Sequence, residues 1–173
     1  MNANILVEIS PATLPSSGWR TYKKTKGLVA LLGSILVNAH PRLAAALRLR
    51  TLEGDEPFKP DAMVCVGPLG DVWQQSPTKL LKKYNVTGIT PDGWTEFTPK
   101  DGPDATVKAI QIVGLPADAR AELKNCHWGE KQPDGTYTQY APSGAWLVVL
   151  TNDPTDHYFI DEAVFANTYG EVA

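Results

Sequence analysis

The sequence is poor in the residues that mark reactive centres and in long apolar runs. It has two cysteines and three histidines in 173 residues, which does not favour a disulfide scaffold, so we expect free thiols. The longest apolar run, at 28–37, contains Gly33 and Ser34 and is shorter than the roughly 20 residues that cross a bilayer. Residues 1–4 carry no positive charge and Glu8 interrupts the apolar stretch that follows, unlike a secretory signal. We expect a cytoplasmic protein without membrane contact.

A strong excess of charge of one sign is also missing. Sixteen basic and nineteen acidic side chains give a formal net charge of −3. This balance provides no general attraction to nucleic acid or anionic lipid. With 43% hydrophobic and 20% charged residues, the chain has the composition of a globular protein.

The two halves of the sequence resemble each other, as in an internal duplication. Residues 18–22 resemble 93–97, and the same offset of 75 positions separates Pro41 from Pro116. Later the offset grows, so that 71–73 corresponds to 156–158. Shared propensity for a strand followed by a helix is the alternative explanation of these matches.

Each half predicts the same series of elements. Short strands at 20–23 and 95–98 precede longer strands at 28–37 and 106–113. Helices are predicted at 41–50 and 116–124, where proline at the first helical position precedes segments rich in Ala, Leu, Arg and Glu. Each half then predicts a hairpin, at 63–74 or 145–160, and a final helix capped by Ser76 or Asp161.

These elements predict an α+β fold made of two tandem β-α-β-β-α units with mainly antiparallel strands. The units are expected at 18–86 and 87–173, packed as one pseudo-twofold globule because each is small for an independent core. Residues 1–17 are expected to form an N-terminal arm or edge strand. The polar stretch 85–93 is the predicted boundary between the units.

The titratable residues predict no catalytic constellation. Cys126 and His127 are the only adjacent pair of zinc-ligand types, and neighbouring residues tend to point in different directions, so no metal or other cofactor is expected. Cys65 lies in an apolar strand and is interpreted as a small buried hydrophobe. We therefore expect a protein that is not an enzyme. A hydrolase using His127 or His157 is a further hypothesis.

Two segments are candidates for binding. The segment 126–140 is longer in the second half than its counterpart, and such an inserted loop is where binding residues are sought. The run 20–26 is the one basic stretch and suits phosphate or an acidic partner. An ordinary surface loop and a lysine-protected strand edge are the respective alternatives. The candidate residues are His127, Trp128, Lys131, Tyr137 and Gln139 in the loop, and Tyr22, Lys23 and Lys24 in the run.

The residues Val107-Lys108-Ala109-Ile110-Gln111 and the ending Phe165-Ala166-Asn167-Thr168-Tyr169 resemble the PGDYG domain of bacteriophage and bacterial proteins. The resemblance covers 97–169 and extends to 18–84 through Asp71-Val72-Trp73, Leu80-Leu81 and Tyr84. The tetrapeptide that names the family is degraded in both halves, to 142–146 and 60–63. The resemblance implies a phage or prophage origin and a small α+β module, without implying a reaction.

The leading functional hypothesis is a non-enzymatic phage-derived or bacterial accessory protein. It would act as a protein-protein or virion-assembly binding module, in the host cytoplasm or the virion, with a protein partner or by self-association. The alternative is a protein that binds or sequesters a nucleotide-type small molecule in a pocket between the two repeats.

Overall fold

The computed structural model describes residues 5–38, 41–51 and 54–173, and strands predominate over helices there. In chain order the strands are β1 (Ile5–Ile9), β2 (Arg20–Lys24), β3 (Leu28–Leu32), β4 (Arg48–Thr51), β5 (Gly54–Pro57), β6 (Met63–Val66), β7 (Val72–Gln75), β8 (Tyr84–Ile89), β9 (Thr95–Pro99), β10 (Thr106–Gln111), β11 (Ala119–Cys126), β12 (Glu130–Lys131), β13 (Tyr137–Ala141), β14 (Trp146–Leu150), β15 (His157–Ile160) and β16 (Tyr169–Glu171). The α-helices are α1 (Gly33–Val37), α2 (Pro41–Ala46), α3 (Pro77–Lys83) and α4 (Glu162–Thr168). Within the described ranges, no helix is long and apolar enough to cross a membrane.

The chain forms two compact units, of which the first combines Met1–Lys23 with Thr106–Ala173. This unit contains a four-stranded sheet in the order β1-β11-β13-β12 and a five-stranded sheet in the order β15-β14-β10-β2-β16. Side chains of both sheets share one core, which includes Ile9, Leu123, Ile110, Leu147 and Phe159. Helix α4 contributes to a second core, formed with the five-stranded sheet. The first unit therefore stacks a sheet, a second sheet and a helix in three layers.

The second unit, Lys24–Ala105, is built on one five-stranded sheet in the order β7-β6-β3-β9-β8. Helix α3 places Leu80 in the core with Ala30, Cys65, Tyr84 and Phe97. A hairpin of β4 and β5 contacts the outer strand β7. This sheet thus has its β7 edge covered by a hairpin, and β8 lies at the opposite edge.

The predicted caps of the two final helices are confirmed. The Ser76 hydroxyl accepts a hydrogen bond from the Lys79 backbone N–H at 3.1 Å, at the start of α3. In α4 the Asp161 carboxylate accepts from the N–H groups of Ala163 and Val164 at 2.9 and 3.3 Å. Both side chains satisfy amide groups that have no partner within the helix.

The predicted α+β fold class is wrong, because the described chain is rich in β-structure and contains four sheets. Two predicted long elements are each divided. The predicted strand at 28–37 ends at Leu32 and continues as α1, and the predicted helix at 41–50 ends at Ala46 before β4 begins. The helices are therefore shorter than predicted and account for less of the fold.

The segment 116–124, predicted as a helix, forms most of strand β11. Ala119, Ala121 and Leu123 are buried, with the exposed Arg120 and half-buried Glu122 between them. This alternation has the period of a strand, and parallel pairing with β1 places Ile5 opposite Ala119. Pairing with β1 and burial of one face override the helix propensity of Ala, Leu, Glu and Arg.

The tandem arrangement of the predicted units is also wrong, since their first strands are exchanged. Strand β2 pairs with β10, with Lys23 opposite Thr106, and β9 pairs with β3, with Phe97 opposite Leu28. The compact units accordingly divide at 23/24 and 105/106, whereas the sequence places the boundaries at 17/18 and 86/87. An offset between similar segments says which strands correspond, but it does not say which strands pair.

Candidate functional site

The inserted segment 126–140 folds as a hairpin at the end of the four-stranded sheet of the first unit. It contains β12 and most of β13, and it begins where Asn125 takes a positive φ of 57° at the end of β11. Gly129 has a φ of 132°, and a Cβ atom there would lie 2.6 Å from the carbonyl oxygen of Thr138. Only glycine fits this close approach of the two backbones.

Gln139 holds this hairpin against the neighbouring five-stranded sheet of the same unit. Its side chain is 2% exposed. The side-chain amide donates to the carbonyl oxygen of Trp128 at 3.0 Å, and its Oε1 accepts from the N–H of Phe159 at 2.8 Å. Because both polar ends are used inside the protein, Gln139 serves as an internal clamp.

His127 stands on the surface of the same hairpin and faces a buried carboxylate. Its Nδ1 lies 3.8 Å from Oδ1 of Asp156, whose side chain is almost fully buried. Nearby, a 2.6 Å hydrogen bond from the Thr155 hydroxyl to Asp153 lowers the pKa of that carboxyl, and His127 adds to the effect. The 3.8 Å separation of His127 and Asp156 is longer than a hydrogen bond, so this contact does not fix which ring nitrogen carries the proton.

The other loop candidates have different surroundings. The Trp128 ring lies 5.8 Å from that of Tyr158, and both rings are half-buried. Tyr137 packs against the core between the two sheets, whereas Lys131 is exposed on β12. The structure therefore brings His127 and Trp128 together at one end of the hairpin, and it directs Tyr137 and Gln139 inward.

His157 does not share the arrangement of His127. Its Nε2 lies 3.1 Å from the carbonyl oxygen of Lys124, which can only accept, so this nitrogen carries the proton. Its Nδ1 is buried without a hydrogen-bond partner. Neither nitrogen is placed to receive a proton from a substrate in solvent. His40, the remaining histidine, lies outside the described residues.

Both cysteines are free and buried, and neither has the properties of a nucleophile. Burial raises the pKa of the Cys65 thiol to about 11 and that of Cys126 to about 12. The Cys126 thiol donates to the carbonyl oxygen of Leu123 at 3.3 Å. Thiols with these pKa values are protonated at neutral pH, and the thiolate is the reactive form.

We therefore expect both thiols to be protected from alkylation in the folded protein. At pH 8 iodoacetamide should modify each at least about a hundredfold more slowly than in urea, because pKa values near 11 and 12 leave little thiolate. Mass spectrometry of the Cys65→Ser and Cys126→Ser variants follows each remaining thiol separately. A thiol that reacts as fast in the folded protein as in urea would contradict this burial.

The basic run contributes less free positive charge than its sequence indicates. Tyr22 packs edge-on against Trp146 and Phe165, with ring centroids 5.4 and 4.9 Å away. The Lys24 ammonium lies over the rings of Trp73 and Tyr84, at 5.6 and 5.3 Å from their centroids. Lys23 lies opposite Thr106 in the pairing of β2 with β10. Tyr22 therefore belongs to an aromatic core of the first unit, and Lys24 packs on aromatic rings of the second unit.

The described residues offer little for binding a metal ion or a phosphate group. Among the described residues, no group of three His, Cys, Asp or Glu side chains is placed to hold a metal ion. An open cleft of about 470 Å³ in the second unit is lined by Lys82 and Lys100 and also by Asp101 and Asp104. The Lys100 ammonium donates to the carbonyl oxygen of Leu81 at 2.6 Å. This mixed charge gives the cleft no clear preference for a phosphate group.

A feature that the sequence interpretation missed is the open edge formed by β8. The strand reads Tyr84-Asn85-Val86-Thr87-Gly88-Ile89 and contains no charged residue and no proline. Val86 and Ile89 are 57% and 73% exposed. Because of its polar residues and Gly88, most of this segment is predicted from the sequence as part of the boundary stretch 85–93 and not as a strand. Its absence of charge and its β-branched residues are the signal that favours a strand.

The backbone of β8 has hydrogen-bonding groups that β9 does not use. Lys100 donates its N–H to the carbonyl of Lys83 at 2.9 Å, which makes these two residues a hydrogen-bonded pair. Hydrogen-bonded and non-bonded pairs alternate along antiparallel strands, and this alternation applies from Lys83 up to the β-bulge between Val86 and Gly88. Tyr84, opposite Pro99, and Val86, opposite Phe97, therefore belong to non-bonded pairs, but the Tyr84 N–H already donates to the Leu80 carbonyl at the end of α3. The N–H and C=O groups of Val86 point away from β9, toward the open side.

Three other sheet edges are covered or charged. At β7, Gln74 donates to the carbonyl of Pro57 at 3.0 Å and accepts from the N–H of Lys59 at 2.8 Å. At β1, Glu8 pairs with Lys124 at 2.6 Å, and β12 consists of two charged residues. Cover and charge of this kind protect an edge from pairing with another chain.

The remaining edges are protected as well. On β15 the N–H of Phe159 is taken by Gln139, and β16 is three residues long with Glu171 paired to Arg20 at 2.9 Å. The small sheet of β4 and β5 has two charged residues on each strand. Among the edges of the described sheets, β8 is thus the one without charge, proline or a covering contact. Its one irregularity is a β-bulge between Val86 and Gly88, where the pairing with β9 shifts by one residue.

Comparison of the chain with protein-family models, with curated proteins and with solved structures found no match in any of the three. The PGDYG resemblance therefore stays a prediction that rests on the residues quoted for it.

Proposed function

We propose that this protein is a non-enzymatic binding module that recognises another polypeptide by strand addition at β8. The open edge of β8 is the observation that carries the proposal. An extended segment placed beside it gains main-chain hydrogen bonds from the N–H and C=O groups of Val86, and its side chains contact Val86 and Ile89. A partner of this kind is an extended, uncharged peptide segment with β-branched or aromatic residues.

The chemistry of the titratable residues supports a binding role over catalysis. Both thiols are buried with raised pKa values, and in His157 the Nε2 atom is bonded to the Lys124 carbonyl while Nδ1 is buried. His127 is the histidine with a carboxylate partner on the described surface, and the hydrolase hypothesis rests on it. The PGDYG resemblance adds the expectation of a phage or prophage origin.

Peptide selection with a backbone variant as a counter-screen tests the proposal. The probe is a displayed library of random 12-residue peptides, selected on the full chain. Val86→Pro removes an N–H that β9 does not use, so the sheet should keep its hydrogen bonds while strand addition is blocked. We expect selected peptides to bind Val86→Pro at least tenfold more weakly than the wild type. Val86→Thr, which keeps the N–H and the β-branch, should bind within about threefold of the wild type.

Amide hydrogen exchange locates the binding. On addition of a selected peptide, the Val86 amide should gain protection. The Tyr84 amide, which donates to the Leu80 carbonyl, and the Asn85 amide, which faces β9, should change little. Peptides that bind Val86→Pro as tightly as the wild type, or protection confined to another strand, would refute strand addition at β8. A thermal melt of each variant checks that the fold is intact.

A further inference from the structure

The two ends of β8 carry opposite charges. At its beginning, Lys82 and Lys83 end helix α3 and lead directly into the strand, and Lys82 is exposed. Beyond its end, the turn 90–93 carries the exposed Asp92. Hydrogen bonds from Gly93 N–H to the Thr90 carbonyl and from Trp94 N–H to the Thr90 hydroxyl, at 2.9 and 3.0 Å, hold this turn. The strand between the charges is uncharged.

This arrangement of charge is complementary to itself in one orientation. When two copies of β8 lie antiparallel, the beginning of each strand lies beside the end of the other, so Lys82 of each copy approaches Asp92 of its partner. In a parallel pair the lysines would lie beside lysines and the aspartates beside aspartates. An antiparallel pair is also isologous: one surface serves both copies, and the assembly closes as a dimer.

We infer that the occupant of the β8 edge is a second copy of this chain, paired antiparallel about a twofold axis. This inference rests on the proposed function, since it names the polypeptide that strand addition recruits. Two five-stranded sheets then join into one ten-stranded sheet. Val86 contributes its outward N–H and C=O to the new ladder, and the apolar Val86 and Ile89 side chains lose their exposure.

Sedimentation velocity of the full chain from about 5 to 500 μM tests this pairing; that range covers the weak affinity of a small interface. We expect the weight-average mass to rise from that of a monomer toward that of a dimer. Val86→Pro should raise the dimer dissociation constant at least tenfold, and Val86→Thr should leave it nearly unchanged. A wild-type chain that stays monomeric throughout, or a dimer that is insensitive to Val86→Pro, overturns the inference.

A charge exchange tests the antiparallel orientation. In a dimer of the Lys82→Glu variant, a second carboxylate lies beside Asp92 of the partner. In a dimer of the Asp92→Lys variant, a second ammonium group lies beside Lys82. Each variant alone should therefore have a dimer dissociation constant at least about threefold higher than the wild type. In the mixed dimer both contacts are attractive again, so an equimolar mixture, followed by energy transfer between labelled chains, should regain the wild-type affinity. Sodium chloride at about 0.5 M should reduce these differences, because it screens exposed charges. Single variants that weaken the dimer without rescue in the mixture overturn the antiparallel pairing.

The two experiments fail in different ways. If the chain stays monomeric while selected peptides bind at β8, the occupant is a strand of another protein and the proposed function stands. If neither a peptide nor a second copy depends on the Val86 backbone, both proposals fail together.

Discussion

Replacing Phe165 with alanine is expected to lower the free energy of unfolding by about 4 kcal/mol. Phe165 is 3% exposed and lies at the centre of an aromatic cluster. Its ring stacks on Trp146 at 4.1 Å and on Tyr169 at 4.7 Å, and meets Tyr22 edge-on at 4.9 Å. Truncation removes the burial of a large ring, leaves a cavity between α4 and the sheet, and breaks three aromatic contacts.

Urea unfolding followed by near-UV circular dichroism measures this loss, because the same rings supply the signal. Phe165→Leu refills part of the cavity, and we expect it to cost about half as much. Asn167→Ala, at an exposed position of the same helix, is the control and should change the stability by about 0.5 kcal/mol or less. A loss below about 1.5 kcal/mol for Phe165→Ala would mean that α4 does not depend on this cluster.

Replacing Gln139 with leucine is expected to cost about 3 kcal/mol, although the volume is nearly conserved. The variant removes both partners of the clamp, the donor to the Trp128 carbonyl and the acceptor for the Phe159 N–H. The Phe159 N–H is then left without a partner inside the protein, and an unsatisfied buried donor loses its full solvation energy. Most of the expected loss of stability therefore comes from the buried backbone groups that lose their hydrogen-bond partner, and less from the change in side-chain packing.

The matched control lies in the same hairpin. Gln132 is half-buried, and its side chain donates to the carbonyl of Glu130 at 3.3 Å and hydrogen-bonds Tyr140, at a surface where water can replace the lost bonds. Gln132→Leu should therefore cost about 0.5 kcal/mol or less. Chemical denaturation followed by tryptophan fluorescence measures both variants, and amide exchange at Phe159 reports on the clamp directly. Equal stability losses in the two variants would argue against a special role for Gln139.

The hairpins and the final helices of the two halves were predicted well. The turns at 67–70 and 152–155 join strands that pair as expected, with Cys65 opposite Trp73 and Val148 opposite Tyr158. Ser76 and Asp161 cap their helices as predicted. These predictions depend on turn and capping chemistry between residues a few positions apart.

The candidate binding residues were predicted with less success in detail. His127 and Trp128 lie together at the end of a hairpin, but Gln139 and Tyr137 point inward and Tyr22 belongs to an aromatic core. Polar and aromatic residues in an inserted segment indicate a surface loop only if no neighbouring sheet buries them. That condition depends on packing, which a single sequence does not display.

Local signals in the sequence were enough to place the hairpins, the helix caps and the short strands at 20–23 and 95–98, because each signal acts within a few residues. Tertiary structure decided the rest. Strand β11 exists because β1, more than a hundred residues earlier, pairs with its backbone. The exchange of β2 and β9 and the open edge of β8 likewise depend on which distant strands become neighbours. Strand pairing joins residues that are remote in sequence, and its energy comes from contacts that form only when the sheet assembles.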